Sequence, residues 1–403
     1  MAETLKELGH IEAGHGNFDR AEAIYREALE ICREILGEGN VKVADSLTNL
    51  GNIHWYRGQF KKAEKYYRDA ISVVKRAGAS EDDVAREQVN LDSVLIQQDQ
   101  LDAAIEILTQ SLEVLQRSRG RDNTLTLHVM NSLAGALYRI GKYAEAEQLQ
   151  RELLATRRKI LGNDHFDVAL SFYNLGNTLD ELGRFAEAED ALGESLNIWR
   201  KALPQPHVQV AWALNDLGIA FRDDGKYEKS AQAYQEALAI FEKAPSAKPV
   251  DAAWAWQGLG DVSFARDQKI EAEKLYRTAL RLRQSAPGAG PSALATSVAA
   301  LGRLVCESGS HGEGERLLRD ALGIFQRVLP ASHWRIGHMQ ALLGRCLSAQ
   351  RKFADAEPLL LKGYELLLEK RGAGREETPE AAGALAALYV TWGKPDRAAV
   401  YRK

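Results

Sequence analysis

The chain has 403 residues, 45% of them apolar and 27% charged, the balance of a folded soluble protein and not of a disordered one. A formal charge of -4 with both signs interspersed supplies no basic field for a nucleic-acid backbone, so nucleic acid is not expected as a partner. No run of about 18 apolar residues occurs, so no membrane span is expected either.

The amino-terminal stretch "MAETLKELGH" is charged from its third residue and lacks the apolar core of a signal peptide, which leads to the expectation of a cytoplasmic protein. Cys32, Cys306 and Cys346 form no Cys-x-x-Cys pair and are expected to be small, reduced core residues. No metal or other cofactor is expected.

Along the chain a leucine recurs at Leu8, Leu50, Leu91, Leu133, Leu175, Leu217, Leu259, Leu301, Leu343 and Leu385, in steps of 42, 41 and then 42 throughout. A small residue follows it at Gly9, Gly51, Ala134, Gly176, Gly218, Gly260, Gly302, Gly344 and Ala386, with Asp92 the exception. Seven residues further on stands a glycine at Gly16, Gly58, Gly141, Gly183, Gly225, Gly309 and Gly393, replaced by Asp99, Asp267 and Arg351. Five residues beyond that comes another small residue, Ala21, Ala63, Ala104, Ala146, Ala188, Ser230, Ala272, Gly314, Ala356 and Ala398.

Each unit reads as two helices with a glycine stop between them. Leu47, Leu50, Ile53 and His54 share one helical face, as do Phe60, Ala63, Tyr67 and Ala70 after Gly58. Small residues at fixed offsets let antiparallel helices approach closely. One short pair cannot bury its apolar face, so copies must stack. The predicted units are 2–42, 43–83, 84–125, 126–167, 168–209, 210–251, 252–293, 294–335, 336–377 and 378–403, forming one solenoid. The first helix begins with no preceding element, as expected for a piece of something larger. The connectors "LGNDH", "LPQPH" and "LPASH" set His165, His207 and His333 in phase as turn residues. "QSAPGAGPSA" (284–293) and "RGAGREETPE" (371–380) are longer connectors, and Thr378 with Pro379 reads as a helix cap and first position.

The period, the Leu-Gly pair, the turn glycine and the later alanines resemble the tetratricopeptide repeat over essentially the whole chain. The 42-residue unit with its connector is similar to the repeats of kinesin light chain. The resemblance implies an all-α fold, a right-handed superhelical solenoid of about ten antiparallel helix pairs. The closing segment "LAALYVTWGKPDRAAVYRK" resembles the tail of bacterial serine/threonine protein kinases that carry such arrays, which implies an alternative role as the regulatory arm of a larger signalling protein.

Catalytic signatures are absent. The Gly-Lys pairs at 141, 225 and 393 are not followed by serine or threonine, and there is no Gly-x-Ser-x-Gly, His-Glu-x-x-His, His-Arg-Asp or Asp-Phe-Gly. Function is therefore expected to lie in a binding surface for a protein or peptide partner. The resemblance implies that first helices line a concave face, and its inward positions hold Asn49, Asn52, Arg86, Asn90, Asn131, Tyr138, Arg139, Tyr173, Asn174, Asn177, Trp212, Asn215, Arg222 and Trp254. Side-chain amides offer a donor and an acceptor to an extended main chain, and arginines and large aromatics anchor interfaces. A carboxylate clamp at Lys6, His10, Asn49, Arg86 and Asn90 matches the family's chaperone-binding pattern in part, with His10 and Asn90 departing.

Overall fold

The computed structural model describes residues 1–98, 100–248, 250–286 and 290–401. The described residues form helices and no strand, in two compact units, Met1–Gly162 and a second from Asn163 onward. The turn position Asp99 and part of the connector 284–293 lie outside the described residues.

The first unit runs α1 (Ala2–Gly14), α2 (Phe18–Leu36), α3 (Val41–Tyr56), α4 (Phe60–Arg76), α5 (Glu81–Gln97), α6 (Leu101–Arg119), α7 (Thr124–Arg139) and α8 (Tyr143–Leu161). In the second come α9 (Phe166–Glu181), α10 (Phe185–Ala202), α11 (Val208–Asp223), α12 (Tyr227–Phe241), α13 (Ala252–Ala265) and α14 (Lys269–Ser285). It continues with α15 (Pro291–Glu307), α16 (His311–Val328), α17 (Trp334–Ala349), α18 (Phe353–Arg371), α19 (Glu377–Thr391) and α20 (Pro395–Ala399). Within each unit consecutive helices pack as pairs. First helices of successive pairs also touch: in the first unit α3 with α5 and α5 with α7, and in the second α9 with α11, α11 with α13, α13 with α15, α15 with α17 and α17 with α19. This is the all-α stack expected from the repeat.

The glycine after each leucine has a specific partner. A Cβ placed on Gly51 would lie 2.5 Å from the ring of Tyr67, and one on Gly218 would lie 2.8 Å from the ring of Tyr234. In both pairs the tyrosine stands 16 residues later, on the second helix, and is buried. The missing side chain thus lets a whole aromatic ring sit on the first helix, which fixes how closely the pair closes. The turn glycine answers a backbone need instead: Gly58 has φ 69°. Where the repeat lacks glycine, Asp267 and Arg351 adopt the same left-handed conformation at φ 57° and 60°.

Six first helices, α3, α5, α7, α9, α11 and α17, start on a side-chain cap. Asn40 and Asn123 accept a hydrogen bond from the backbone N–H two residues on, at 3.0 Å each. Ser80 and Asp83 form a reciprocal capping box. His165, His207 and His333 occupy the same cap position, each Nδ1 accepting from the backbone N–H of Asp167, Gln209 or Arg335 at 3.1, 3.4 and 3.2 Å. The helix expected to begin at a Thr378 cap starts earlier, with Glu376 as cap residue, so Thr378 is buried in its first turn.

Candidate functional site

In the first unit the inward amides fasten helices to one another. Asn49 is buried, with its Oδ1 3.4 Å from His10 Nε2, and the Asn52 Oδ1 accepts from the Tyr67 hydroxyl at 2.7 Å. Asn90 and Asn131 are half-buried on α5 and α7. Arg139 donates to the Ile96 carbonyl at 2.9 Å, and Tyr138 packs edge-on against Tyr143. Arg86 pairs with Asp83 at 3.1 Å and lies 3.8 Å from Glu87, whose buried carboxyl is pushed up by desolvation while it accepts from Thr48 at 2.6 Å. Two acids beside Arg86 weaken the charge that a terminal carboxylate would need.

In the second unit the asparagines converge on an aspartate. Asn177 on α9 and Asn215 on α11 both donate to Asp216, at 3.0 Å each, and Tyr173 also reaches it. Burial drives the Asp216 carboxyl upward, and these three donors oppose the shift. The amides of Asn177 and Asn215 are therefore committed to the half-buried Asp216 carboxyl rather than open to a ligand's main chain. Asn174 beside them is half-buried, its carbonyl accepting from Thr178 at 3.1 Å.

Trp212 and Trp254, named among the inward positions, are directed onto second helices. Trp212 meets Phe241 edge-on, and Trp254 lies beneath the guanidinium of the buried Arg283 at 4.1 Å. Arg283 is also held by Gln257 and Ser297, which ties α13, α14 and α15 together.

Arg222, named among the groove positions, is bonded to Asp223 at 2.7 Å and to Asp261 at 3.0 Å, with Asp261 also accepting from Tyr276. Next to it a cavity of about 250 Å³ opens, lined among others by Asp261, Phe264, Arg303, Trp334, His338 and Glu380. Arg303 stacks on Phe264 at 4.8 Å and pairs with Glu380 at 2.8 Å. Burial and the neighbouring arginines hold the His338 imidazole down at about 4, against the pull of Glu377.

One end of this face is closed by the chain itself. Arg371 pairs with Glu181 and, at 3.2 Å, with Glu377, and its guanidinium lies 4.1 Å from the Trp334 ring. Arg375 donates to the Asp180 carbonyl at 2.7 Å and stands 3.8 Å from Asp223. Desolvation, with Asp223 and Glu181 adding to it, pushes Asp180 up to about 8. None of Asp180, Glu181, Asp223, Arg371 or Arg375 stands out in a search for amides and aromatics. Yet the first three occupy the same inward offsets, four and five after the small residue, that single out Tyr138, Arg139 and Arg222.

The cysteine expectation is corrected as well. Cys306 on α15 and Cys346 on α17 are joined in a disulfide, and Cys32 alone is free and buried. Two first helices in direct contact bring the pair together although 40 residues separate them.

A family model described as tetratricopeptide repeat matches residues 1–76, 88–159, 127–201 and 187–243, more than half of the chain. The chain belongs to the tetratricopeptide repeat family. Its repeats are those of a protein–protein interaction scaffold. Among solved structures, a Rap protein complexed with Competence and Sporulation Factor is similar at 13% identity, covering 89% of this chain and 99% of that one with a TM-score of 0.57. The human IFIT1 dimer with PPP-AAAA is similar at 16% identity, covering 100% and 89% with a TM-score of 0.54. A Podosopora anserina kinesin light chain with nearly identical TPR-like repeats is similar at 22% identity, covering 49% and 93% with a TM-score of 0.43. No curated protein matches. No helix among the described residues is long and apolar enough to cross a membrane.

Proposed function

We propose that this tetratricopeptide array holds an extended polypeptide segment of a partner protein along the first-helix face of its second unit. The observation that carries the reading is the cavity of about 250 Å³, because α11, α13, α15, α17 and α19, the first helices of five successive pairs, all contribute side chains to it. We set the site here, further along the chain than the asparagines of α9 and α11, because those amides already serve Asp216. A Rap protein of the same fold has been solved with Competence and Sporulation Factor, which is compatible with a bound factor on such an array.

The energetics favour a mixed lining. Micromolar binding needs roughly 8 kcal/mol beyond the cost of ordering the segment, and a net hydrogen bond contributes about 0.5–1.5 kcal/mol. Apolar contact with Phe264 and Trp334 supplies what polar groups alone do not. A peptide-display selection on the immobilised chain, counter-selected against a Phe264→Ala, His338→Ala variant whose fold is confirmed by circular dichroism, tests this. Enrichment of a motif on the parent that the variant loses supports the reading; enrichment indifferent to both substitutions opposes it.

A further inference from the structure

We infer that Asp180, Glu181 and Asp223 form a landing site for an arginine-bearing segment of the partner, and that the chain's own connector between α18 and α19 occupies it until that segment arrives. The inference rests on the groove reading above and adds the chemistry of the partner and the regulation of the site.

Three carboxyl groups meet at the carboxyl ends of α9 and α11, and Glu181 and Asp223, with the helix dipoles, supply the negative potential there. That end of the face attracts cations. Its present occupants are two arginines four residues apart in "RGAGREE", 371–377, a segment that reaches back some 190 residues to meet them. The arginine side chains carry the contact: Arg371 through Glu181 and the Trp334 ring, Arg375 through the Asp180 carbonyl, with Phe185 5.5 Å away. A planar guanidinium suits both the stacking and the carbonyl contact, and an ammonium would supply neither as well.

The connector is an incomplete occupant. Between its arginines stand Gly372, Ala373 and Gly374, which offer almost no side chain to the cavity that begins at Trp334. The Asp180 Oδ1 is buried and lacks a hydrogen-bond partner among the described residues. A segment bringing two arginines, a further donor for Asp180 and an apolar residue for the cavity makes every contact of the connector and more. It therefore displaces the connector and opens the face.

The test uses the full chain and a fluorescent peptide of the connector's own sequence, EKRGAGREET, beside a version with both arginines replaced by lysine. Arg371→Met with Arg375→Ala removes both of the connector's contacts to this end of the face, so Glu181 and Asp223 are uncovered together. Expected are connector amides that exchange hydrogen at least tenfold faster than in the parent, and peptide binding at least tenfold tighter. Adding Glu181→Gln or Asp223→Asn removes that gain, and the lysine peptide binds more weakly than the arginine one. Should the double variant perturb the fold, the isosteric Glu181→Gln alone is read by connector exchange, which must rise. Unchanged connector exchange, equal affinity in parent and variant, or indifference to the two acids overturns the inference. The two readings separate cleanly: a display-selected peptide that still needs Phe264 while the arginine peptide fails leaves the groove and removes the landing site, and the opposite pattern does the reverse.

Discussion

Arg371 and Glu181, 190 residues apart in the chain, form an ion pair whose arginine side chain is 2% exposed. The pair fixes the connector before α19 against the end of α9, so a contact between distant repeats is built from side chains whose desolvation must be offset by their partners. Removing one member leaves the other charge buried. Arg371→Ala is expected to destabilise the second unit by about 3 kcal/mol, and Arg371→Met with Glu181→Met by clearly less. Chemical denaturation of the four members of this double-mutant cycle checks it; equal losses for single and double variants would show that the pair does not couple.

Asp92 replaces the small residue of the third repeat and is fully buried, with one carboxylate oxygen unbonded. Desolvation pushes its carboxyl up to about 7, against an ordinary value near 4. Over that window the unfolded chain has released a proton that the folded chain keeps, so stability falls as pH rises from about 4 to 7. Asp92→Ala, with the residue type found at Ala134 and Ala386, is expected to stabilise the first unit by about 2–4 kcal/mol at pH 8 and by less at pH 5. Thermal melts at the two pH values decide it.

His333 caps α17 through an unprotonated Nδ1, and burial with Arg335 and Arg371 lowers its pKa to about 4. A folded-state value below the unfolded one means the unfolded chain binds the extra proton first. The contribution is whole above about 6.5 and is lost as pH falls towards 4. His333→Asn keeps the cap without a titrating group, as Asn40 and Asn123 do. The substitution should flatten the acid limb of the stability profile while changing stability at pH 8 by less than about 1 kcal/mol.

The close approach at Gly51 and the left-handed turn at Arg351 have opposite signs. Gly51→Ala drives a methyl group into the Tyr67 ring and is expected to cost about 1–3 kcal/mol. Arg351→Gly relieves an L-residue at φ 60° and is expected to gain about 1 kcal/mol. Equilibrium denaturation of both variants measures the two effects side by side.

These residues also show what the sequence discloses. Gly51, Gly58 and their counterparts recur in register, so a 42-residue period exposes the helix pairs and their close contact directly. It does not disclose that Tyr67 or Tyr234 is the ring that fills the space, since the partner lies on the other helix. The histidine caps were visible as turn residues, but their acceptor role needs the backbone geometry of the following helix. The inward offsets include Arg222, which lines the cavity beside Asp261. They could not tell that Asn177 would meet Asp216, or that Trp254 would be covered by Arg283, because those partners come from neighbouring helices. The Cys306–Cys346 bond and the Arg371–Glu181 pair escape for the same reason, being contacts that no single repeat contains.

Hydrogen exchange on the full chain, with and without a display-selected peptide at saturating concentration, tests the central claim most directly. Protection is expected on α11, α13, α15 and α17, around Asp261, Phe264, Arg303 and His338, with faster exchange in residues 371–377 as the connector is displaced. Protection confined to the second helices or to residues 1–162, with the connector unchanged, would contradict it.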